Sequence, residues 1–253
     1  MIAYSVLAYT IFLVVGWFAA DAIMFQPPSP PDYRMTSDLL RIPVGGERIV
    51  ARYQHVEHPR ATVIFAHGNG RDIGDVLGAT DQLIALDLDV ISFDYRGYGH
   101  SGGESSESNA YEDIDAVYRY VTSTGHVDAH DVLVLGHSLG GGPAAWLAQH
   151  EPVRGLLLAS TFTSAYEVAI PSWIVPFDAF ETADRLPDVR VPVVIVHGTN
   201  DEIVDVENAD RLFAEANEPK RKVLIAGGGH DGIFEHAGSR LGDIVDWLLD
   251  QTT

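Results

Sequence analysis

Residues 132–148 read Val-Leu-Val-Leu-Gly-His-Ser-Leu-Gly-Gly-Gly-Pro-Ala-Ala-Trp-Leu-Ala. The first four make a short apolar strand of the kind covered on both faces, and the run from Ala144 to Ala148 suits a helix. Between them stands Gly136-His-Ser-Leu-Gly140, a G-x-S-x-G element. Strand, tight turn and helix in that order set Ser138 on a sharp bend of unusual φ and ψ, so the residues two positions away on each side must be small. The bend leaves Oγ exposed above a sheet and aims the first helical N–H groups at a developing oxyanion.

Outward from this element the chain alternates short apolar runs with longer stretches of helical spacing. Runs at 62–66, 90–94, 132–135, 156–159, 193–197 and 222–225 are Val-, Ile- and Leu-rich and mostly unalternated, as doubly covered strands are. Helices are expected at about 73–87, 109–123, 140–150, 206–216 and 239–250, the second from the spacing of Ile114, Val117, Tyr118 and Val121. Before them, 39–43 and 48–54 flank Gly45-Gly46 as a β-hairpin. The expected class is therefore α/β: a mostly parallel central sheet with an N-terminal β-hairpin and helices on both faces.

Composition narrows the functions. The 253 residues suit one large domain, and 46% hydrophobic residues support an ordinary core. There is no cysteine, which excludes disulfides, a Cys-ligated zinc and a cysteine nucleophile. Sixteen Lys and Arg stand against 36 Asp and Glu, for a net charge of −20, and such a field repels nucleic acid. The segment His126-Val-Asp-Ala-His-Asp131 has metal-ligating residue types, but it lies in the connector before the nucleophile strand and lacks a supporting ligand pattern; no metal is expected. A second G-x-S-x-G, Gly99-His-Ser-Gly-Gly103, has no apolar helix after it, so Ser101 reads as a loop residue.

The N-terminus carries nineteen uncharged residues, 2–20, ended by Asp21. At about 1.5 Å per residue the run approaches a bilayer's hydrocarbon thickness. A single-pass membrane anchor over 1–25 is the first reading, its side undetermined. A signal peptide cleaved near Ala20 and Ala22, giving a secreted or periplasmic protein, and a core-packed or amphipathic helix are the others. The stretch 26–37 opens Gln-Pro-Pro-Ser-Pro-Pro and reads as a stiff linker to a domain at 38–253.

With His67-Gly-Asn-Gly70, Asp94-Tyr-Arg-Gly-Tyr-Gly-His-Ser-Gly102, the Ser138 turn, Gly198-Thr-Asn-Asp201 and Gly228-Gly-His230 in view, the chain over about 38–250 resembles an α/β-hydrolase-fold serine hydrolase. More narrowly it is similar to membrane-anchored hydrolase-domain proteins of esterase or depalmitoylase type. In that fold nucleophile, acid and base follow in the order Ser, Asp or Glu, His, the last two on loops after late strands. The resemblance implies Ser138 as nucleophile, Asp201 as acid and His230 as base. Glu202, Asp205 and Asp178 stand as rival acids, and His236 as a rival base. The His-Gly-x pattern implies the backbone N–H of Asn69 as an oxyanion donor, paired with that of Leu139. Tyr95 and Arg96 either line the cleft or brace the loop, Arg96 through Asp94 or Asp113.

Between Ser160 and Arg190 the chain leaves the sheet with Ile170, Trp173, Ile174, Val175, Phe177 and Phe180. Either a helix packs on the core edge there, or, at the family's usual insertion point, about 161–190 forms a small cap whose Trp173 and Phe177 line an acyl pocket. The expected activity is hydrolysis of small-molecule or lipid acyl esters or thioesters, of short to medium chain, without a cofactor. A peptidase or amidase on the same triad, and a membrane-tethered binding protein without turnover, are the alternatives.

Overall fold

Val132 and Val134 face one side of the strand they share, Leu133 and Leu135 the other, and both sides are buried. The same division holds for Ile64 and Ala66 against Val63 and Phe65, and for Val193 and Ile195 against Val194 and Val196. A strand without a polar face must be covered twice, and each buried branched side chain contributes roughly 1.5–3 kcal/mol. The computed structural model describes residues 9, 24–165 and 178–251. Eight strands form one sheet: β1 Leu40–Val44, β2 Glu47–Gln54, β3 Thr62–Ala66, β4 Asp89–Phe93, β5 Val132–His137, β6 Gly155–Ala159, β7 Val193–Gly198 and β8 Lys220–Ile225. Their order is β1-β2-β4-β3-β5-β6-β7-β8, with β1 and β2 antiparallel to their neighbours and β3 to β8 parallel. The hairpin, the parallel sheet and the α/β-hydrolase class agree with the sequence reading.

One face carries α1 Leu77–Ile84, α6 Ile233–Ala237 and α7 Arg240–Asp250; the other carries α2 Glu107–Arg119, α3 Gly141–His150, α4 Thr182–Arg185 and α5 Glu207–Glu215. The first of these is shorter than its apolar spacing predicts. Asp72 Oδ1 accepts from the N–H of Gly74 at 2.8 Å and of Asp75 at 3.3 Å, and this local turn competes with helix. Parallel strands end on a common edge, so the loops after β3, β5, β7 and β8 gather there.

The expected membrane anchor is not supported. Among the described residues no helix is long and apolar enough to cross a membrane, and the run at 2–20, Tyr9 apart, lies outside the described residues. An uncharged run of that length is a condition for spanning rather than a sign of it, because core and interface contacts select the same residues. Where the chain is described again, it is bound to the domain. Phe25 is buried edge-on against Tyr98 and Phe180, Asp32 N–H donates to Asp72 at 2.7 Å, and the Tyr33 hydroxyl donates to Asp94.

The excursion after β6 is pinned at its base, where Ala165 N–H donates to the carbonyl of Ala179 at 2.8 Å. Phe180 is fully buried against α3, where a Cβ on Gly142 would collide with its ring. The expected pocket residues Trp173 and Phe177 lie outside the described residues.

Candidate active site

Ser138 follows β5 with φ of 52°, the left-handed region that costs a non-glycine residue about 1–3 kcal/mol. The two flanking glycines permit it. A Cβ on Gly136 would strike the carbonyl of Gly140, and one on Gly140 the carbonyl of Ala66. The Thr161 hydroxyl donates to the Ser138 carbonyl at 2.6 Å and holds the bend from the β6 side. Ser138 is 8% exposed, at the common edge of the sheet.

Two loops bring the other groups to it. After β7, Asp201 Oδ1 accepts the N–H of Ile203 at 2.9 Å and of Val204 at 2.8 Å, a local turn that fixes the carboxylate. After β8, Gly227 and Gly232 adopt positive φ around His230. Asn200 N–H donates to the carbonyl of Gly228 and Gly227 N–H to Thr199 Oγ1, both at 2.9 Å, so the loops are stitched together. His230 Nδ1 lies 2.9 Å from Asp201 Oδ2 and 3.0 Å from Oδ1, and its Nε2 lies 2.9 Å from Ser138 Oγ. Burial alone would push the Asp201 carboxyl up; hydrogen bonds from His197, His230 and the N–H groups of Val204 and Ile203 outweigh it and hold the group well below the usual carboxylate range.

The rivals stand elsewhere. Glu202 is exposed, Asp205 accepts the N–H of Glu207 at 2.9 Å, and Asp178 accepts that of Ala179 at 2.8 Å. His236 is exposed, with Nδ1 2.9 Å from the Gly232 carbonyl. The Ser101 hydroxyl donates to the Asp94 carbonyl and accepts from Val50 N–H, both at 2.8 Å, so it braces a loop. Arg96 also braces, through Asp113: Nε lies 2.7 Å from Oδ1, and the Arg96 N–H donates to Oδ2 at 2.8 Å. Tyr95 donates to the His67 carbonyl at 2.9 Å. Among the described residues no group of three or more His, Asp or Glu is placed to hold a metal ion.

The loop after β3 closes the other side. A Cβ on Gly68 would stand 3.1 Å from Ser138 Cβ and from His137 Nδ1, so a side chain there would crowd the Ser138 turn by a few tenths of an ångström. Asn69 follows, and Leu139 lies in the first turn after Ser138, where N–H groups have no intrahelical acceptor. The Asn69 carboxamide faces the N-terminal segment: Nδ2 donates to the Met24 carbonyl at 2.6 Å, and Oδ1 accepts from Gln26 N–H at 2.8 Å and the Tyr98 hydroxyl at 2.6 Å.

Besides Thr161 and His197, Arg71 and His137 stand at the site and escaped the sequence reading. Arg71 pairs with Asp231 at 2.7 Å, linking the β3 loop to the His230 loop. His137 Nε2 lies 3.2 Å from the His230 carbonyl, and burial, reinforced by the neighbouring His230, pushes its imidazole down to about 4. Its only sequence signal was its place beside Ser138, where any residue fits the pattern.

Comparison with known proteins agrees with the fold. The family described as "Serine aminopeptidase, S33" (Hydrolase_4) matches residues 57–177 and 177–237. The α/β-hydrolase domain-containing protein aho-3 of Caenorhabditis elegans is 32% identical over 190 residues, 73% of this chain and 57% of that protein, so the chain spans little more than half of that relative. The α/β-hydrolase domain-containing protein 17B of Homo sapiens is 31% identical over 192 residues, 74% of this chain and 67% of that protein. Among solved structures, the Pyrococcus furiosus esterase Pf2001 superposes with a TM-score of 0.73 at 16% identity, covering 90% of this chain and 99% of that one. An α-β serine hydrolase homologue from Coxiella burnetii gives 0.66 at 22%, covering 87% and 100%. The chain belongs to the Hydrolase_4 family of α/β hydrolases.

Proposed function

We propose that the protein is a serine hydrolase that cleaves carboxylic esters or thioesters of short to medium acyl chain through an acyl-Ser138 intermediate. The observation that carries the reading is the unbroken relay from Ser138 Oγ through His230 to Asp201, with both contacts at 2.9 Å. A serine hydroxyl is a weak nucleophile until a base takes its proton, and an imidazole serves only in one tautomer. Asp201 accepts from Nδ1–H, so Nε2 faces Ser138 bare. Oγ attacks the acyl carbon as Nε2 takes its proton. The N–H groups of Leu139 and Asn69 receive the oxyanion, each contributing about 3 kcal/mol. His230 then protonates the departing alkoxide or thiolate, and water repeats the sequence on the acyl-enzyme.

The catalytic domain is taken as 38–253, with Phe25 and Tyr33 of the preceding segment packed on it and 161–190 as a small cap. The strongly negative chain favours neutral substrates and speeds release of a carboxylate product. The family's description favours a second reading, hydrolysis of an N-terminal peptide bond by the same relay.

A fluorophosphonate probe tests the reading. Wild-type protein takes the label on Ser138, and Ser138→Ala takes none; a label that persists in the variant removes the assignment. Rates on p-nitrophenyl esters of increasing chain length, set beside aminoacyl anilides, separate esterase from peptidase. No turnover of either class, with no label, overturns hydrolysis at this site.

A further inference from the structure

His197 lies near the end of β7 with its side chain fully buried, and the relay above makes no use of it. Its Nε2 lies 2.9 Å from the carbonyl of Val204 and 3.3 Å from Asp201 Oδ2. Both neighbours are acceptors, so the ring proton belongs on Nε2. Nδ1 is buried with no hydrogen-bond partner among the described residues. A buried imidazole that leaves one nitrogen unsatisfied is an expensive way to bond a single carbonyl. Its other contact is on the acid of the relay.

The two carboxylate oxygens are held differently. Oδ1 takes the N–H groups of Ile203 and Val204 from its own loop and lies 3.0 Å from Nδ1 of His230. Oδ2 takes His230 at 2.9 Å, and His197, four residues before Asp201 near the end of β7, shares its Nε2–H between the Val204 carbonyl at 2.9 Å and Oδ2 at 3.3 Å. The carboxylate torsion is soft, so a contact on Oδ2 from the end of β7, added to the loop N–H groups on Oδ1, helps to set the plane in which Nδ1–H of His230 meets the carboxylate.

We propose that His197 is a positioning residue for the relay: its Nε2–H holds Asp201 Oδ2 in register with His230 and takes a share of the carboxylate's charge. The inference rests on the reading of Ser138, His230 and Asp201 as a catalytic relay. The titratable and charged groups facing the Asp201–His230 pair are His197 on β7, Ser138 and His137 at the end of β5, and Asp231 beside His230, itself paired with Arg71 of the β3 loop. Removing the His197 donor leaves Oδ2 to His230 alone. The carboxylate then favours imidazolium more strongly, and the acidic limb of kcat/KM moves to higher pH.

The test compares His197→Leu with His197→Gln, whose amide keeps a donor, on p-nitrophenyl acetate across pH. The Leu variant is expected to lose roughly tenfold in kcat with KM within about twofold and to move its acidic limb up by about half a pH unit, while Gln returns the limb toward wild type. A Leu variant with wild-type kcat and limb overturns the proposal. Nitrogen-15 shifts of the His197 ring in wild-type protein do not depend on whether either variant folds: a proton on Nε2 supports the proposal, and one on Nδ1 overturns it. Failure of the relay itself has a different signature, since Ser138 would then take no fluorophosphonate in the wild-type protein.

Discussion

Asn69 and Met24, 45 positions apart, are joined by a 2.6 Å hydrogen bond from Nδ2 to the backbone carbonyl. Because Oδ1 of the same amide accepts from Gln26 N–H, the segment leading into the domain is tied to the loop that supplies an oxyanion donor in the proposed mechanism. Asn69→Ala keeps the backbone N–H but releases the loop. Misplacing a reacting geometry by about 1 Å costs up to about a hundredfold, so kcat is expected to fall roughly 10- to 100-fold with little change in KM. Steady-state rates on a p-nitrophenyl ester check this; an unchanged kcat refutes it.

Phe25 is 5% exposed and meets Phe180 edge-on at 5.8 Å and Tyr98 at 6.3 Å. Emptying such a site costs about 3–5 kcal/mol. Phe25→Ala is expected to lower the urea midpoint accordingly, and a chain shortened to begin at residue 27 to lose at least as much. A shortened chain of wild-type stability would show that the Phe25 contacts contribute nothing.

Gly140 leaves no room for a Cβ against the carbonyl of Ala66, at the end of the adjacent parallel strand. Gly140→Ala must push β3 and the Ser138 turn apart. The expected loss is about 3 kcal/mol or more, read as a fall in melting temperature together with loss of fluorophosphonate labelling. Retention of both would mean that the turn relaxes freely.

His137 gives stability a pH dependence of definite sign. Its folded value of about 4 lies below the ordinary 6.5, so between these the unfolded chain binds more protons than the folded one. Its contribution is complete above about pH 6.5 and is lost as the pH falls towards 4, on the order of 2 kcal/mol for this partly accessible ring. Urea unfolding at a series of pH values should show that decline, and His137→Gln should flatten it. Equal slopes in the two proteins count against a buried uncharged His137.

Legibility along the chain followed range. Gly136 announced the turn at Ser138 because the collision it avoids, with the carbonyl of Gly140, is local, and α1 fell short of its predicted length for a reason equally local, the Asp72 turn. The run at 2–20 misled because apolarity records what avoids water and not what it packs against. The sequence by itself determined the doubly covered strands, their order along the chain and the bend at Ser138, since side-chain period and backbone sterics act over a few residues. Only the tertiary structure decided that Ser138 and His230, 92 positions apart, meet at 2.9 Å, and that Asn69 grips Met24, 45 positions away. Those contacts depend on which strands lie side by side, and residues separated by tens of positions leave no periodic mark of the partner the sheet will bring them.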